Sequence, residues 1–232
     1  MSKKLIPKSK SPKADFLLSI IIYFLPFKYF SFINKFNQNR REIEREFIFC
    51  QVGEIRITGG EFRGRIIRFP DDIFLRPLTS LIRKAIFDSI DVEGAEILDL
   101  FAGSGSFGIE ALSRGAKKVV FVEKSKKLSS AISKNLQILG IKSYEVVNQD
   151  AMSFLKSRSG KEKYDIVFCD PPFSTKFDKE FFPLIKNFVR TYFILRRQKG
   201  KDSEDEKNLS EFFSYKKRIY SDSVVFFAFE KE

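Results

Sequence analysis

The stretch from Asp99 to Gly108, which reads DLFAGSGSFG, decides the fold of this chain. It follows a short apolar run and precedes a segment of helical length, so its three glycines stand between a predicted strand and a predicted helix. An acidic residue, Glu123, ends the next predicted strand, about 20 positions after the first glycine. This arrangement is typical of nucleotide-cofactor sites, because the glycines let the backbone approach the ligand and the carboxylate accepts both ribose hydroxyls.

Strands and helices alternate on both sides of this stretch. Strands are predicted at residues 95–101, 118–123, 144–148 and 164–169, and helices at residues 106–114, 125–139 and 150–155. The alternation predicts an α/β fold with a mostly parallel sheet, helices on both of its faces and ligands at the carboxyl ends of its strands. The charged run at residues 196–207 is predicted to be a surface loop.

The identity of the cofactor depends on Asp99. The glycine pattern alone fits a dinucleotide as well as S-adenosylmethionine, and a tight turn without a ligand is the remaining alternative. A carboxylate directly before the loop is unfavourable beside a pyrophosphate but suits a sulfonium and an ammonium group. Asp150, after the third strand, is placed to accept the adenine amine or to cap the following helix. The candidate cofactor-binding residues are Asp99, Phe101, Ala102, Gly103, Ser104, Gly105, Glu123, Asp150 and Ala151.

The most specific element is Asp170-Pro171-Pro172-Phe173, which directly follows the strand predicted at residues 164–169. The exocyclic amine of a nucleobase is a weak nucleophile, because its lone pair is delocalised into the ring. The Asp170 carboxylate and the Pro171 carbonyl can accept its two hydrogens and turn the lone pair toward a methyl donor, while Phe173 stacks on the base for about 1–3 kcal/mol. Orientation and charge complementarity then supply the predicted catalysis without a metal. A plain turn after the strand is the alternative interpretation.

A basic β-hairpin is predicted ahead of this core. Residues 55–58 and 65–69 alternate in polarity on either side of a glycine pair, and a helix follows with Thr79 or Ser80 as its N-cap. Several arginines of the hairpin share one face, and its glycines permit close approach to a ligand. We interpret this surface as tracking nucleic-acid phosphates, with an ordinary solvated strand face as the alternative. The candidate RNA-binding residues are Arg56, Arg63, Arg65, Arg68 and Arg76.

Composition bounds the partners and the compartment. The 232 residues carry a net charge of +12, which favours an anionic partner such as RNA, although a lysine-rich composition alone also produces such a charge. The absence of histidine excludes an imidazole base and histidine metal ligands. The two cysteines, Cys50 and Cys169, have the spacing of neither a disulfide framework nor a zinc site, which fits a reducing compartment. We expect a cytoplasmic protein that needs no metal and acts as a monomer.

Residues 1–53 differ in composition from the rest. They are predicted to be an N-terminal extension, with residues 54–232 forming the main domain (54–90 the hairpin and helix, 91–232 the core). The extension begins with lysines and continues into an uncharged run that is shorter than the roughly 20 residues of a membrane-spanning helix, and no signal-cleavage pattern follows. Three alternatives stay open: a natural start near Val52, contact of residues 16–33 with a membrane surface, and packing on the main domain.

Together these motifs resemble one family, the bacterial 16S rRNA (guanine-N2)-methyltransferases of the ribosomal small subunit methyltransferase D type. The matching pieces are RIxGG at 56–60, RGR at 63–65, RPxT at 76–79, DLFAGSG at 99–105, EALSRGA at 110–116, FVEK at 121–124, NxDA at 148–151, DPPF at 170–173 and KRxYSDS at 217–223. The resemblance implies a Rossmann-like fold closed by an antiparallel C-terminal hairpin, with S-adenosylmethionine as cofactor. It also implies methyl transfer to a guanine N2 of 16S rRNA, on a small-subunit assembly intermediate.

The chain departs from the family pattern at three places. Ser80 stands where the family usually has an acidic residue, Ser221 stands where it commonly has glycine, and residues 1–53 have no counterpart. Two other functions stay open: methylation of another planar amine, either adenine N6 or a glutamine side chain, and a non-catalytic role as an RNA-binding assembly factor. An NAD-dependent enzyme is disfavoured, because the chain has no histidine and little length after Phe173 for a hydride-acceptor domain.

Overall fold

A seven-stranded sheet and a separate two-stranded hairpin form the framework of the described part of this chain. The computed structural model describes residues 52–70 and 78–231, all within the unit Gln51–Glu232. The predictions for residues 1–51, including membrane contact, and for Arg76 lie outside the described residues, so the division at residues 53/54 stays a prediction. None of the helices described has the length and apolar character that crossing a bilayer requires.

The helices and strands follow the predicted alternation. In chain order they are β1 (Val52–Arg56), β2 (Ile66–Pro70), α1 (Ser80–Phe87), β3 (Glu96–Leu100), α2 (Ser106–Ser113), β4 (Lys118–Val122), α3 (Lys126–Ile138), β5 (Tyr144–Val147), α4 (Ala151–Arg158), β6 (Tyr164–Cys169), α5 (Phe181–Lys186), β7 (Val189–Gln198), α6 (Ser203–Phe212), β8 (Phe213–Tyr220) and β9 (Ser223–Glu230). Local signals explain the agreement at the helix starts. The side chain of Ser125 accepts the N–H of Leu128 to begin α3, and Thr79 accepts the N–H of Ile82 to begin α1.

The order in which strands are added to the sheet changes direction at β3. Its strand order is β5-β4-β3-β6-β7-β9-β8, in which β3 to β7 are parallel and β8 and β9 form an antiparallel hairpin. The chain moves outward from β3 through β4 to β5 and then returns to the opposite side of β3 with β6. Such a switch point opens a crevice beyond the carboxyl ends of the strands, where doubly wound sheets bind their ligands.

Helices cover both faces of the sheet, as predicted. On one face lie α1, α2 and α3, where the ring of Phe107 stacks on Phe87 and Phe168 with centroid distances of 4.9 and 3.8 Å. On the other face lie α4, α5 and α6, whose core side chains include Phe154 and Leu209. Burial of both apolar faces of the sheet accounts for strands that read as almost continuous hydrophobic runs.

The hairpin of β1 and β2 packs on α3 instead of extending the sheet. The side chain of Asn135, in α3, accepts the N–H of Arg68 at 3.1 Å and donates to the Arg68 carbonyl at 2.8 Å. One amide side chain therefore satisfies both backbone groups of an edge residue, which a neighbouring strand would otherwise do. Ile67 and Phe69 face inward, whereas Arg68 stays exposed.

The prediction of a surface loop at residues 196–207 is wrong. Arg196 and Arg197 belong to β7 and are buried, and Ser203 begins α6. Because side chains alternate along a strand, the two arginines point to opposite faces of the sheet. Arg197 lies on the α6 side, where its Nε is 2.6 Å from an oxygen of Asp205 and its Nη2 donates to the Thr175 carbonyl at 2.7 Å. These partners from distant parts of the chain compensate the cost of burying a charged side chain at the end of β7. The local sequence does not reveal them.

Candidate active site

A cavity of about 710 Å³ opens at the switch point between β3 and β6. This volume is within the usual range of small-ligand sites, roughly 300–1,000 Å³. Nine of the residues predicted for cofactor binding and catalysis line it: Phe101, Gly103, Glu123, Asp150, Ala151, Asp170, Pro171, Pro172 and Phe173. Within residues 52–70 and 78–231 no three His, Cys, Asp or Glu side chains cluster in a way that could hold a metal.

The loop between β3 and α2 and the first turn of α2 require glycine for two different reasons. Gly105 has a φ of 75°, in the left-handed region that other residues rarely adopt. At Gly108 the reason is space, since a Cβ there would lie 2.3 Å from the ring of Phe121 in β4. Because α2 packs closely on β4, the loop before it lies at the end of the sheet, where Gly103 contributes to the cavity wall.

Glu123 connects this loop to the start of α3. Its carboxylate accepts the N–H of Gly103 at 2.9 Å and the N–H of Ser125 at 2.7 Å. The side chain is almost buried but still reaches the cavity wall. An ionised carboxylate offers about four lone-pair positions. Two of them hold the backbone, so the remaining two are available for the hydroxyls of a ribose.

Asp99 lies behind the glycine loop and is absent from the cavity lining. It is buried, and one carboxylate oxygen accepts the N–H of Gly108 at 3.0 Å. Helix α2 begins after Gly105, which has no side chain to cap it, so Asp99 satisfies one of the free N–H groups of the first turn. Burial raises the pKa of Asp99 well above its ordinary value. Three other predicted residues, Ala102, Ser104 and Gly105, are likewise buried in the loop rather than part of the lining.

Asp150 has the geometry of both roles that the sequence left open. Its side chain accepts the N–H of Ser153 at 3.1 Å and so caps α4. It also lines the cavity next to Ala151. A carboxylate that caps with one oxygen retains the other for an adenine amine, so the two roles are compatible.

Asp170 stands at the end of β6, on the other side of β3 from the strand that Glu123 follows. Its side chain is 14% exposed, and both of its oxygens accept hydrogen bonds from Nη1 of Arg196, at 3.0 and 3.2 Å. Burial raises the pKa of Asp170 to about 6, against the opposing charges of Arg196 and Arg197. Pro171 is buried, whereas Pro172 is exposed and Phe173 is partly exposed at the cavity. The arrangement offers a carboxylate, a carbonyl and an aromatic face to one planar ligand.

The structure does not bring the hairpin arginines to this cavity. Arg56, Arg63, Arg65 and Arg68 are all exposed. The hairpin tip is tied to the C-terminal end of α2, because Ser113 donates its hydroxyl to the Gly59 carbonyl at 2.6 Å. The cavity lies at the other end of α2, a helix of eight residues, which corresponds to about 12 Å. Any contact of these arginines with RNA is therefore made some distance from the reacting group.

Sequence reasoning missed several residues of the cavity wall. Arg196 and Gln198 lie at the end of β7, Lys201 lies in the following turn, and Lys124 and Gln149 follow β4 and β5. One signal pointed to Arg196: the four residues before it, from Tyr192 to Leu195, are apolar or aromatic and continue a strand to its position. A buried carboxylate such as Asp170 also requires a cationic partner.

The chain is similar in sequence to known proteins. Residues 55–229 match the model of the family described as conserved hypothetical protein 95. Two curated relatives named ribosomal RNA small subunit methyltransferase D are 43% identical over 125 residues, in Haemophilus influenzae, and 34% identical over 160 residues, in Buchnera aphidicola. These alignments cover 52% and 67% of this chain. They span 65% of the Haemophilus protein, just under two thirds of its length, and 83% of the Buchnera protein.

A solved structure supports the same relationship. The Escherichia coli protein yhhF, named as a methyltransferase, is 29% identical and superposes with a TM-score of 0.65, covering 77% of this chain and 99% of that one. The likeness agrees with the sheet order and with the antiparallel C-terminal hairpin described above. The predicted fold class is confirmed.

Proposed function

This chain belongs to the family described as conserved hypothetical protein 95, and we propose that it transfers a methyl group from S-adenosylmethionine to the exocyclic N2 of a guanine in 16S rRNA. Its relatives named ribosomal RNA small subunit methyltransferase D support the reaction class. The observation that carries the proposal is that Asp170-Pro171-Pro172-Phe173 and the glycine loop with Glu123 line the same cavity. A donor and an acceptor of the methyl group can therefore meet there.

The cavity fits S-adenosylmethionine in size and in chemistry. Glu123 is placed to accept the ribose hydroxyls, and Asp150 is placed to accept the adenine amine beside the N–H of Ala151. Phe101 and Gly103 of the glycine loop would lie under the ligand, and Asp99 holds the first turn of α2 behind the loop. When bound, the cofactor supplies an electrophilic methyl carbon on a sulfonium, and transfer forms a nitrogen–carbon bond as the sulfur–carbon bond breaks.

The residues of the Asp170 wall act on the amine. The Asp170 carboxylate and the Pro171 carbonyl accept its two hydrogens, which turns the nitrogen lone pair out of conjugation with the ring and toward the donor. Phe173 stacks on the base and contributes about 1–3 kcal/mol. The product nitrogen carries one proton in excess, which leaves to the Asp170 carboxylate or to solvent. The four residues Asp170, Pro171, Pro172 and Phe173 are thus the proposed catalytic set.

RNA must present the guanine outside its base stack. A cavity at a sheet edge cannot reach the N2 of a paired base, so the nucleotide is flipped or already unpaired. Lys124 and Lys201 line the cavity and are exposed, and they are placed to contact the flanking phosphates. We assign Arg56, Arg63, Arg65 and Arg68 to contacts with phosphates further along the RNA. Arg76 lies outside the described residues, and we assign it to phosphate contacts from the sequence alone.

We propose that the protein acts in the cytoplasm as a monomer on a small-subunit assembly intermediate, where RNA is still accessible. The net charge of +12 supports an RNA partner. Residues 1–53 are proposed to be an extension outside the catalytic domain of residues 54–232.

Mass spectrometry of ribosomal RNA tests the proposal. 16S rRNA from cells with and without the gene is digested to nucleosides, and N2-methylguanosine is quantified. We expect loss of one N2-methylguanosine per 16S rRNA in the deletion, with recovery on expression of the wild-type chain but not of Asp170→Ala. Recovery by Asp170→Ala would indicate a non-catalytic assembly factor. An unchanged 16S rRNA, with loss of methylation on adenine or on a glutamine, would redirect the activity to another planar amine.

A further inference from the structure

Arg196 connects β7 to the reactive carboxylate and to the aromatic ring at the cavity. Its side chain is 3% exposed, and its Nη1 is 3.0 and 3.2 Å from the two oxygens of Asp170. Its Cζ lies 5.1 Å from the centroid of the Phe173 ring, within the range of a cation–π contact. One buried guanidinium therefore contacts two of the groups assigned to binding the target base.

The other side of this guanidinium is fixed to β9. Nε and Nη2 of Arg196 both donate to the hydroxyl of Ser223, at 3.2 and 3.0 Å. The Ser223 hydroxyl itself donates a hydrogen bond to the Asp222 carboxylate at 2.9 Å, so it accepts from Arg196 and donates to Asp222. Ser223 is fully buried on β9, which pairs with β7. Asp170 therefore binds one side of the planar Arg196 guanidinium and Ser223 binds the other. The single ammonium of a lysine cannot reproduce this arrangement.

We propose that Arg196 is a positioning residue for methyl transfer: held on β9 by Ser223, it fixes the orientation and the charge of the Asp170 carboxylate that receives the amine. The inference rests on the proposed function and extends it to a residue outside the Asp-Pro-Pro-Phe motif. Arg196 acts through Asp170 and Phe173.

The charges around Asp170 explain why a cation is needed at this position. Arg196 contacts it from β7. The charges of Arg197 on β7 and Asp99 on β3 also act on it, and the buried thiol of Cys169 precedes it in β6. Burial raises the pKa of Asp170 to about 6, and the two arginines oppose that rise. Without Arg196 the pKa of Asp170 rises further, so a larger fraction of the carboxyl is protonated at neutral pH. A protonated carboxyl carries a hydrogen-bond donor on one oxygen and is a weaker acceptor for the amine at the other.

The decisive variant is Arg196→Gln. The pH dependence of kcat/KM is measured with saturating S-adenosylmethionine and varied 16S rRNA substrate, and the ¹³C resonance of the Asp170 carboxyl is followed by NMR in the free protein. We expect both midpoints to move upward by about 1–3 pH units, because an opposite charge at this distance lowers a carboxyl pKa by that amount. At pH 7 kcat should fall by about 2-fold for a shift of one pH unit and by about 100-fold for a shift of three, and raising the pH should recover part of it.

Two further variants separate charge from orientation. Arg196→Lys retains a cation, so the midpoint should stay near that of the wild type while kcat falls. Ser223→Ala removes the anchor but not the charge, and should lower kcat with no change of midpoint. Arg190→Gln is the matched control, since Arg190 lies on the same strand and pairs with Glu96 and Asp165 at its other end. It should leave kcat and both midpoints unchanged.

The outcomes distinguish this inference from the proposed function. If Arg196→Gln binds S-adenosylmethionine as the wild type does but shows no change in the carboxyl midpoint or in kcat, the positioning role is wrong. A folded variant that loses cofactor affinity and kcat together, with an unshifted midpoint, also contradicts it. Failure of the wild type to methylate RNA would contradict the proposed function alone, because the NMR midpoints still report on Arg196 and Asp170.

Discussion

Glu123 accepts the N–H of Gly103 at 2.9 Å, so the carboxylate assigned to the ribose also holds the glycine loop in shape. Replacing it with alanine removes both interactions. For Glu123→Ala we expect the Kd for S-adenosylmethionine to rise about 10–100-fold, because hydrogen bonds to a charged group contribute roughly 1.5–3 kcal/mol. Isothermal titration calorimetry on the protein without RNA measures the change.

The comparison variant for Glu123 is Asp170→Ala. It should leave the Kd for S-adenosylmethionine nearly unchanged while kcat falls by about 10²–10³-fold, since it removes a group that acts on the amine during transfer. Equal losses of cofactor affinity in the two variants would contradict the separate roles of the two cavity walls.

The activity should depend on pH through Asp170. Its pKa is raised to about 6 by burial, and the ionised form is both the stronger acceptor for the amine hydrogens and the form that can take up the proton of the product. Activity is therefore fully present above that value, and kcat/KM should fall about tenfold for each pH unit below it. The affinity for S-adenosylmethionine, measured over the same pH range, controls for loss of the cofactor. A kcat/KM that stays constant down to pH 5 would contradict the role assigned to the Asp170 carboxylate.

The hairpin arginines should affect RNA binding without affecting the chemistry. In Arg63→Gln/Arg65→Gln we expect a weaker Kd for 16S rRNA fragments and an unchanged kcat at saturation. The slope of log Kd against log salt should decrease by about 0.7–0.9 for each phosphate contact removed. Fluorescence anisotropy over a series of salt concentrations measures the slope.

The alternative surface for RNA lies at the cavity itself. If Lys124→Gln/Lys201→Gln reduces the salt slope and the hairpin double variant does not, the arginines form an ordinary solvated face. Arg190→Gln again serves as the control for loss of a positive charge outside both the hairpin and the cavity lining.

A buried ion-pair network should dominate the stability of the hairpin side. Glu110 is fully buried, with Nε of Arg83 at 2.6 Å and Nη2 of Arg114 at 2.8 Å. Glu110→Gln leaves two arginines without their negative partner, which costs about 3–5 kcal/mol in the free energy of unfolding. Urea denaturation measures it. Glu96→Gln, which disrupts exposed pairs, should change stability by only about 0–1 kcal/mol.

The pH dependence of stability gives a second test of that network. Burial alone would raise the pKa of Glu110, but hydrogen bonds from Thr58, Arg114 and Arg83 outweigh it and hold the pKa below the ordinary value. The stabilisation is therefore present above the unfolded pKa of about 4.3 and is lost as the pH falls below it. In Glu110→Gln this part of the acid destabilisation should be absent.

The core of the fold and most of the cavity wall were predictable because their signals are local. Ser125 and Gly140 bracket α3 with a cap and a left-handed stop, and Gly103 and Glu123 occupy fixed places in a strand–loop–helix–strand unit. Asp170 follows a six-residue strand in which five residues are apolar or aromatic, so the strand is readily predicted and Asp170 is placed at its end. In a parallel sheet, residues that follow different strands meet at one edge without any further information.

What the sequence did not reveal depends on contacts between distant elements. Asp99 faces α2 rather than the cavity, because Gly108 presents a free N–H there, and the choice of face requires the register of β3. Arg196 was assigned to a loop since charge normally marks solvent, whereas Asp170 and Ser223 make its burial possible. The place of the hairpin, tied to the far end of α2 by Ser113, is equally a matter of tertiary packing.

Two consecutive arginines on β7 serve opposite sides of the sheet, Arg196 the reactive carboxylate and Arg197 the chain segment that follows it. The two side chains point to opposite faces because side chains alternate along a strand with a period of two residues. The length of this segment therefore matters as much as its composition. Inserting or deleting one residue within β7 would exchange the two side chains and abolish both attachments at once. Length variation among natural homologues should consequently fall in the turn at residues 199–202 and spare the strand before it.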